Sequence, residues 1–163
     1  MKNKILLLAF LLILSGCTYR HDATIFLSPE LKDYYGYYPS LEVDIAGIND
    51  NEKSWISSYK LNKYFQPDNP MRKTLQPYTM VFSNDDSKHY QKFSHSAKEW
   101  DLWKRKGAKE LFIAVNLPGI EDDNARKILM EIRSYIGKRL PLFIEIKPTG
   151  ISLIDKKPEY IKE

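Results

Sequence analysis

Residues 40–48 have the sequence SLEVDIAGI, and this stretch decides the expected fold. Its apolar and acidic residues alternate: Leu41, Val43 and Ile45 are separated by Glu42 and Asp44. Because successive side chains of a strand point to opposite faces, this alternation predicts a β-strand with one buried face and one solvent-exposed face.

Further strand patterns occur on both sides of this segment at short intervals. They are ATIFLSP (23–29), PYTMVFS (77–83), KHYQKF (88–93), KELFIAVNLPG (109–119) and LPLFIEIKPTGISLI (140–154). We expect 77–83 and 88–93 to pair as one hairpin, and 140–154 to form another that turns at Pro148, Thr149 and Gly150. Frequent strands without βαβ units favour a mainly β fold, a small antiparallel β-sandwich with short decorating helices.

Two segments carry the signature of a helix start. Asn49 followed by Glu52, and Ser96 followed by Glu99, are capping-box patterns that predict short helices. Gly107 stands where the second helix should end, and Trp100 and Trp103 are expected to pack that helix onto a sheet. The segment ARKILMEIRSYI (125–136) fits a strand or a helix equally well, and the sequence leaves both open.

The insertion between residues 49 and 76 is long for a connection between strands. Connections of that length are usually functional or contain secondary structure of their own. Trp55 and Tyr59 are spaced to share one helical face. Together with Tyr64 and Phe65 they belong to the aromatic types enriched at protein interfaces, which makes the four a candidate partner-binding surface. The alternative is that they pack the insertion onto the sheet.

The N-terminal segment has the layout of a secretory leader. Lys2 and Lys4 precede an unbroken apolar run from Ile5 to Leu14, and the small residues Ser15 and Gly16 follow it. The run is too short for a permanent membrane span, which takes about 20 apolar residues. We therefore expect the leader to be removed.

Cys17 is the only cysteine of the chain and follows the leader directly. The order Leu14, Ser15, Gly16, Cys17 resembles the lipobox of bacterial lipoprotein precursors. That resemblance implies cleavage before Cys17, a diacylglycerol on its thiol and an acyl chain on its new amino group, so that the membrane is a partner through acyl chains. Thr18, rather than an aspartate, implies the outer membrane. The alternative is an ordinary soluble secreted protein with a free thiol.

These patterns divide the chain into four parts. Residues 1–16 are the expected leader, 17–39 a lipidated segment and tether, 40–155 the β-sandwich domain, and 156–163 a charged, frayed tail. Without the leader about 147 residues remain, which is the size of one domain.

Composition and motifs argue against several classes of function. Removal of Lys2 and Lys4 reduces the formal net charge from +4 to about +2, and both signs alternate along the chain, so a nucleic-acid partner is not expected. The three histidines, His21, His89 and His95, do not have the spacing of a metal site. No glycine-rich phosphate loop or nucleophile elbow is present. We expect no catalytic residues, metal or cofactor.

The order of elements is similar to that of the TssJ family, the outer-membrane lipoproteins of the bacterial type VI secretion system. The resemblance rests on the lipobox at Cys17 and on three segments: PSLEVDIAGI (39–48) with its aromatic insertion, GAKELFIAVNLPG (107–119) with the acidic turn after it, and LFIEIKPTGISL (142–153). It implies a transthyretin-like sandwich that faces the periplasm and holds the periplasmic part of TssM, an inner-membrane protein. In the family a loop after the first core strand contributes to that contact, which would correspond here to part of 49–76.

A lipoprotein that works alone is the other hypothesis. It would bind a glycan or a small ligand, or act as an immunity or surface factor. Four tyrosines surround Gly36, and exposed tyrosines suit stacking against sugars. They are Tyr34, Tyr35, Tyr37 and Tyr38. The same loop could instead fold back over the edge of the core.

Overall fold

The computed structural model describes residues 17–18, 20–84, 88–132, 135–136 and 141–161. The leader 1–16 lies outside the described residues. The strands are β1 Cys17–Thr18, β2 Ala23–Leu27, β3 Leu41–Ile48, β4 Tyr78–Phe82, β5 Tyr90–Phe93, β6 Glu110–Val115, β7 Lys127–Glu131, β8 Tyr135–Ile136, β9 Leu142–Lys147 and β10 Gly150–Ile154. The helices are α1 Pro29–Tyr35, α2 Asp50–Ser58, α3 Leu61–Tyr64, α4 Pro70–Leu75 and α5 Glu99–Arg105.

The strands form two four-stranded sheets with orders β10-β9-β2-β5 and β4-β3-β6-β7. Their apolar faces share one core, which includes Ile25 and Ile144 from the first sheet and Val43 and Ile113 from the second. This arrangement confirms the predicted mainly β sandwich. All neighbours in the two sheets are antiparallel except β2 and β9, which are parallel and were not predicted to be so. A short ladder between β1 and β8 stands apart from both sheets.

Helix α5 crosses one end of the sandwich and closes its core. Trp100 and Trp103 are fully buried there, as the sequence predicted. Trp103 lies so close to β3 that a Cβ on Gly47 would stand 2.6 Å from its own Cβ. A glycine at position 47 is therefore what lets the helix approach the sheet.

Helices α2, α3 and α4 form a third layer over the outer face of the sheet β4-β3-β6-β7. A second apolar core joins them to that sheet. Its members are Ala46, Ile48, Ile56, Leu61, Tyr64, Leu75, Phe112 and Ala114. The prediction of a solvent-exposed face on β3 is wrong at Asp44, which is completely buried, because the insertion covers that face.

The predicted domain boundary also needs correction. Strand β2 lies between β9 and β5, so Ala23–Leu27 belongs to the sandwich although the sequence analysis assigned 17–39 to a tether. At the other terminus, the Tyr160 hydroxyl donates a 2.6 Å hydrogen bond to Glu145 Oε1. The C-terminal segment is thus folded onto β9 as far as Tyr160, and the expectation of fraying is wrong there.

Three expectations about strands have clear outcomes. The hairpin expected from 77–83 and 88–93 is wrong, because β4 pairs with β3 whereas β5 pairs with β2 in the other sheet. The ambiguous segment 125–136 contains strand β7, which pairs with β6. The hairpin of β9 and β10 is confirmed.

The two helix-start predictions differ in outcome. The capping box at Asn49 is confirmed: its Oδ1 accepts from the backbone N–H of Glu52 at 3.1 Å, and Glu52 Oε2 accepts from the Asn49 N–H at 2.9 Å. The capping box at Ser96 is wrong, because α5 begins at Glu99 and the Ser96 hydroxyl is hydrogen-bonded to that of Ser94 instead.

Candidate functional site

The sandwich has two distinct ends. Strand β2 begins at Ala23, whose ladder partners are Phe93 and Leu142, and helix α5 covers this end through contacts with Phe93 and Gly47. We call it the α5 end. About 13 Å further along the strand, β2 finishes at Leu27 and leads into α1, and we call that end the α1 end.

The chain that leads back to Cys17 leaves the sandwich beside α5. Arg20 Nη2 donates to Asp101 Oδ1, and the His21 ring makes an edge contact with Trp100 at 6.1 Å between centroids. Cys17 precedes Arg20 by three residues, which span at most about 11 Å. The predicted lipid attachment residue therefore stands close to the α5 end.

Asp22 holds the N-terminal segment in place where it leaves the sandwich. Its Oδ1 accepts a 2.9 Å hydrogen bond from the His95 backbone N–H and lies 2.9 Å from the His95 ring Nδ1. Burial alone would raise the pKa of Asp22, but the His95 hydrogen bonds and the charge of Lys92 outweigh it and lower that pKa. Asp22 therefore stays ionised and holds residues 20–22 in place.

The four predicted partner-binding residues are not equivalent. Trp55 lies on the outer face of α2 and is 55% exposed. Tyr59 and Phe65 are half-buried, whereas Tyr64 is fully buried and packs edge-on against Phe112 with 5.5 Å between ring centroids. The core-packing alternative thus holds for Tyr64. Trp55 and Tyr59 do not share a helical face as predicted, because α2 ends at Ser58.

A buried charge cluster centred on Asp44 joins the helical layer to the sheet. Arg72 on α4 donates to both Asp44 oxygens, at 2.7 Å from Nε and 3.0 Å from Nη2. The Tyr64 hydroxyl donates at 2.9 Å and the Thr79 hydroxyl at 2.6 Å. Arg72 also donates to Glu42 at 2.7 Å. The sequence analysis missed this cluster, since an acidic residue in an alternating strand is normally solvent-exposed.

The environment of this cluster keeps Arg72 and Tyr64 protonated. Burial alone would lower the pKa of Arg72, but the hydrogen bonds and charges of Asp44 and Glu42 outweigh it and raise that pKa. Burial and the adjacent Asp44 carboxylate raise the pKa of Tyr64. Since neither donor releases its proton near neutral pH, the cluster suits a structural tie rather than proton transfer.

Asp123 ties the connection between β6 and β7 to the start of α3. Its Oδ1 accepts from the Leu61 backbone N–H at 3.1 Å and from Arg126 Nη2 at 2.8 Å. Burial alone would raise the pKa of Asp123, but these hydrogen bonds and the charge of Lys60 outweigh it and lower that pKa.

This lowered pKa predicts a pH-dependent stability. Because the folded-state pKa of Asp123 is below the unfolded value of about 3.9, ionised Asp123 stabilises the fold above that pH, and the contribution is lost as the pH falls through the folded value. We expect Asp123→Asn to lower the free energy of unfolding by about 1 to 2 kcal/mol at neutral pH. The difference should shrink in acid. Urea titrations of both proteins at each pH measure it, and a difference that grew on acidification would contradict the assignment.

A shallow groove of about 600 Å³ lies at the α1 end. Its lining residues are Glu30, Asp33, Tyr34, Ile120, Pro148 and Thr149. The tyrosines around Gly36 (34–38) differ in their surroundings. The Tyr35 hydroxyl donates to the Pro118 carbonyl at 2.6 Å, and Tyr38 stacks on His89. Tyr34, in contrast, is 70% exposed. Part of the loop folds back on the core, and Tyr34 remains available to a ligand.

Within the described ranges, no three metal-ligating side chains converge on one point. Ser94 and His95, adjacent in sequence, have separate partners, since Ser94 Oγ is bonded to Ser96 and His95 to Asp22. No helix in the described part of the chain has the length and apolar character to span a membrane. The absence of a catalytic or metal function stays a prediction.

Comparison with solved structures finds the same fold among components of type VI secretion systems. A structure described as a type VI membrane complex aligns at a TM-score of 0.57 and 16% identity, covering 82% of this chain and 96% of its own. Lip of Serratia marcescens, a membrane-bound component of that system, gives 0.53 and 6%, over 87% and 99%. The type VI lipoprotein TssJ1 of Pseudomonas aeruginosa gives 0.51 and 11%, over 85% and 98%. No family profile and no curated sequence matches the chain. The likeness shows that the chain has a TssJ-like sandwich fold, as expected.

Proposed function

We propose that this chain is a lipoprotein anchored in the outer membrane through acyl chains on Cys17. Facing the periplasm, it serves as an assembly component of a type VI secretion membrane complex and binds the periplasmic part of a TssM-like inner-membrane protein. The observation that carries the proposal is the fold, which this chain shares with 99% of Lip and 98% of TssJ1.

The position of the N-terminal segment supports the anchor. An acylated Cys17 would stand within about 11 Å of Arg20, which is bound to α5 through Asp101. A tether this short holds the sandwich close to the bilayer with its α5 end foremost. Three acyl chains provide stable anchoring, since each buried CH₂ contributes about 0.8 kcal/mol.

Cys17→Ser is the sharpest test of the anchor. We expect the variant to be lost from the outer-membrane fraction, because a serine hydroxyl cannot form the thioether that carries the diacylglycerol. Fractionation followed by immunoblotting measures the change. Ser15→Ala, which keeps a small residue in the lipobox, is the matched control and should stay in the membrane. A Cys17→Ser protein that remained in the outer-membrane fraction would contradict the anchor.

The proposed role is structural rather than enzymatic. Two groups of charged side chains tie the helical layer to the sandwich: Arg72 on α4 binds Asp44 and Glu42 of β3, and Asp123 accepts from the Leu61 backbone N–H. Such ties give rigidity to a protein that has to transmit force between a membrane and a partner.

We assign the partner contact to the outer face of the helical layer, where Trp55 is the most exposed of the predicted residues and Tyr59 and Phe65 are half-buried. Trp55 is 55% exposed, and tryptophan is among the residue types enriched at interface hot spots. Tyr64 is not part of this surface, because it is buried.

Trp55→Ala should therefore weaken binding to the TssM-like protein by about 30-fold, the effect of losing a hot-spot residue worth about 2 kcal/mol. Titration of the partner's periplasmic domain by calorimetry measures the affinity. Leu153→Ala, which removes another exposed apolar side chain in the opposite sheet, should leave the affinity unchanged. Equal affinities for Trp55→Ala and the parent would move the contact elsewhere on the surface.

A second candidate function has one observation in its favour. The groove at the α1 end, with Tyr34 exposed on it, could hold a glycan or small ligand of a lipoprotein that works alone. In that case deletion of the gene would leave type VI secretion intact, and the purified protein would recover no inner-membrane partner from envelope extracts.

A further inference from the structure

The α5 end carries exposed basic residues that have no ionic partner in the described part of the chain. Lys98, Lys104 and Arg105 are exposed and form no ion pair with any residue that the structure describes. Glu99 is the one carboxylate of α5 without an ion pair to a described residue, since Asp101 is bound to Arg20. The surface of this helix therefore has an excess of uncompensated positive charge.

The surrounding cations differ from these three. Lys109 is paired with Asp50 and Lys106 with Glu52, while Lys92 faces Asp22 at 3.5 Å. Neutralised lysines of that kind hold parts of the fold together. Lys98, Lys104 and Arg105 have no such task among the residues that the structure describes, and we take their charge as available to a group outside the protein.

The apolar side chains of α5 are not available in the same way. Trp100 is 1% exposed, Trp103 is fully buried, and Leu102 is half-buried against the same core. The helix thus presents charged rather than apolar side chains to solvent. It is therefore not suited to insert into the hydrocarbon region of a bilayer, but it can contact charged groups at a membrane surface.

We propose that the α5 end binds the anionic headgroups of the membrane to which the chain is anchored, through Lys98, Lys104 and Arg105. This inference rests on the proposed lipid anchor for its geometry: the segment to Cys17 leaves the fold beside Asp101 of the same helix, within about 11 Å of chain. Attraction between basic residues and an anionic leaflet fades over about 8 Å at physiological salt, so the charges must lie at the surface to act.

Such a contact would fix the orientation of the sandwich. Acyl chains alone hold one point of the protein and leave it free to rotate about that point. A second contact through α5 directs the α1 end, about 13 Å further along β2, away from the membrane and towards the periplasm.

The test uses the chain from position 17 with Cys17→Ser, which contains every described strand and helix and carries no lipid. We expect it to cosediment with phosphatidylcholine vesicles that contain phosphatidylglycerol, to bind pure phosphatidylcholine vesicles far less, and to dissociate as salt is added. In this background Lys104→Glu with Arg105→Glu should lower the partition coefficient by at least about tenfold.

Lys32→Glu with Lys63→Glu is the matched control, because it changes the net charge equally at exposed lysines outside α5. It should reduce vesicle binding much less. Equal binding to neutral and anionic vesicles, or equal effects of the two double variants, would overturn the headgroup contact. So would an α5 variant that binds vesicles normally but no longer binds the TssM-like protein, since the patch would then serve a protein partner. Acylation of Cys17 and binding of that partner are measured separately, so their failure is distinguishable from failure here.

Discussion

Arg72→Ala is expected to lower the free energy of unfolding by about 3 kcal/mol or more. The substitution leaves the Asp44 carboxylate, which has no exposed surface, without its cation and without two of its hydrogen bonds. Loss of one partner from a buried ion pair costs about 3 to 5 kcal/mol. Because the Arg72 side chain is itself 23% exposed, we expect a value near the lower limit of that range.

Urea titration followed by tryptophan fluorescence measures the change. Lys73→Ala is the matched control: it removes the neighbouring cation of α4, whose pair with Asp68 is solvent-exposed on both sides, and should cost less than about 1 kcal/mol. Asp44→Asn in the Arg72→Ala background should recover part of the loss, because it removes the unpaired charge. A loss no greater than that of Lys73→Ala would show that Asp44 does not depend on Arg72.

Trp103→Ala is expected to have an effect of similar or greater size, about 3 to 5 kcal/mol. The side chain is fully buried. The centroid of its ring lies 5.2 Å from the ring centroid of Trp100 and 5.4 Å from that of Phe93. Its removal leaves a cavity between the sheets under Gly47, at the end of the core that α5 closes.

Thermal unfolding offers the measurement, since each kcal/mol shifts the midpoint by about 2 to 4 °C in a protein of this length. Trp55→Ala removes a side chain of the same type from the surface and should leave stability within about 0.5 kcal/mol. If both tryptophan variants melted at the same temperature, the placement of Trp103 in the core would be wrong.

Local patterns predicted the elements whose structure is decided locally. The alternation in 41–45 predicted β3, the Pro148–Gly150 turn predicted the hairpin of β9 and β10, and the pair Asn49 and Glu52 predicted the start of α2. In each case the side-chain alternation or the hydrogen bonds involve residues that are close in sequence. The local sequence is therefore enough to predict the element.

Pairings between distant segments could not be predicted in this way. Strands β4 and β5 have the composition of a hairpin, yet they lie in opposite sheets because their partners are β3 and β2. Alternation places side chains on two faces without saying which strand lies beside them. The parallel pairing of β2 with β9 is undetectable for the same reason.

The candidate site shows the same division. Alternation placed Asp44 on the outer face of β3, which is correct, but nothing in that strand reveals that α4 brings Arg72 over it. The aromatic content of the insertion indicated both a surface and a packing role. Only the fold separates Trp55, which is exposed, from Tyr64, which is buried with its hydroxyl on Asp44.

Mass spectrometry of the protein extracted from the outer membrane tests the anchor at Cys17 most directly. We expect the mature chain to begin at Cys17, with a diacylglycerol on its sulfur and a further acyl chain on its amino group. A chain that kept residues 1–16, or one that began at Cys17 with an unmodified thiol, would contradict the proposal that acyl chains hold this sandwich at a membrane.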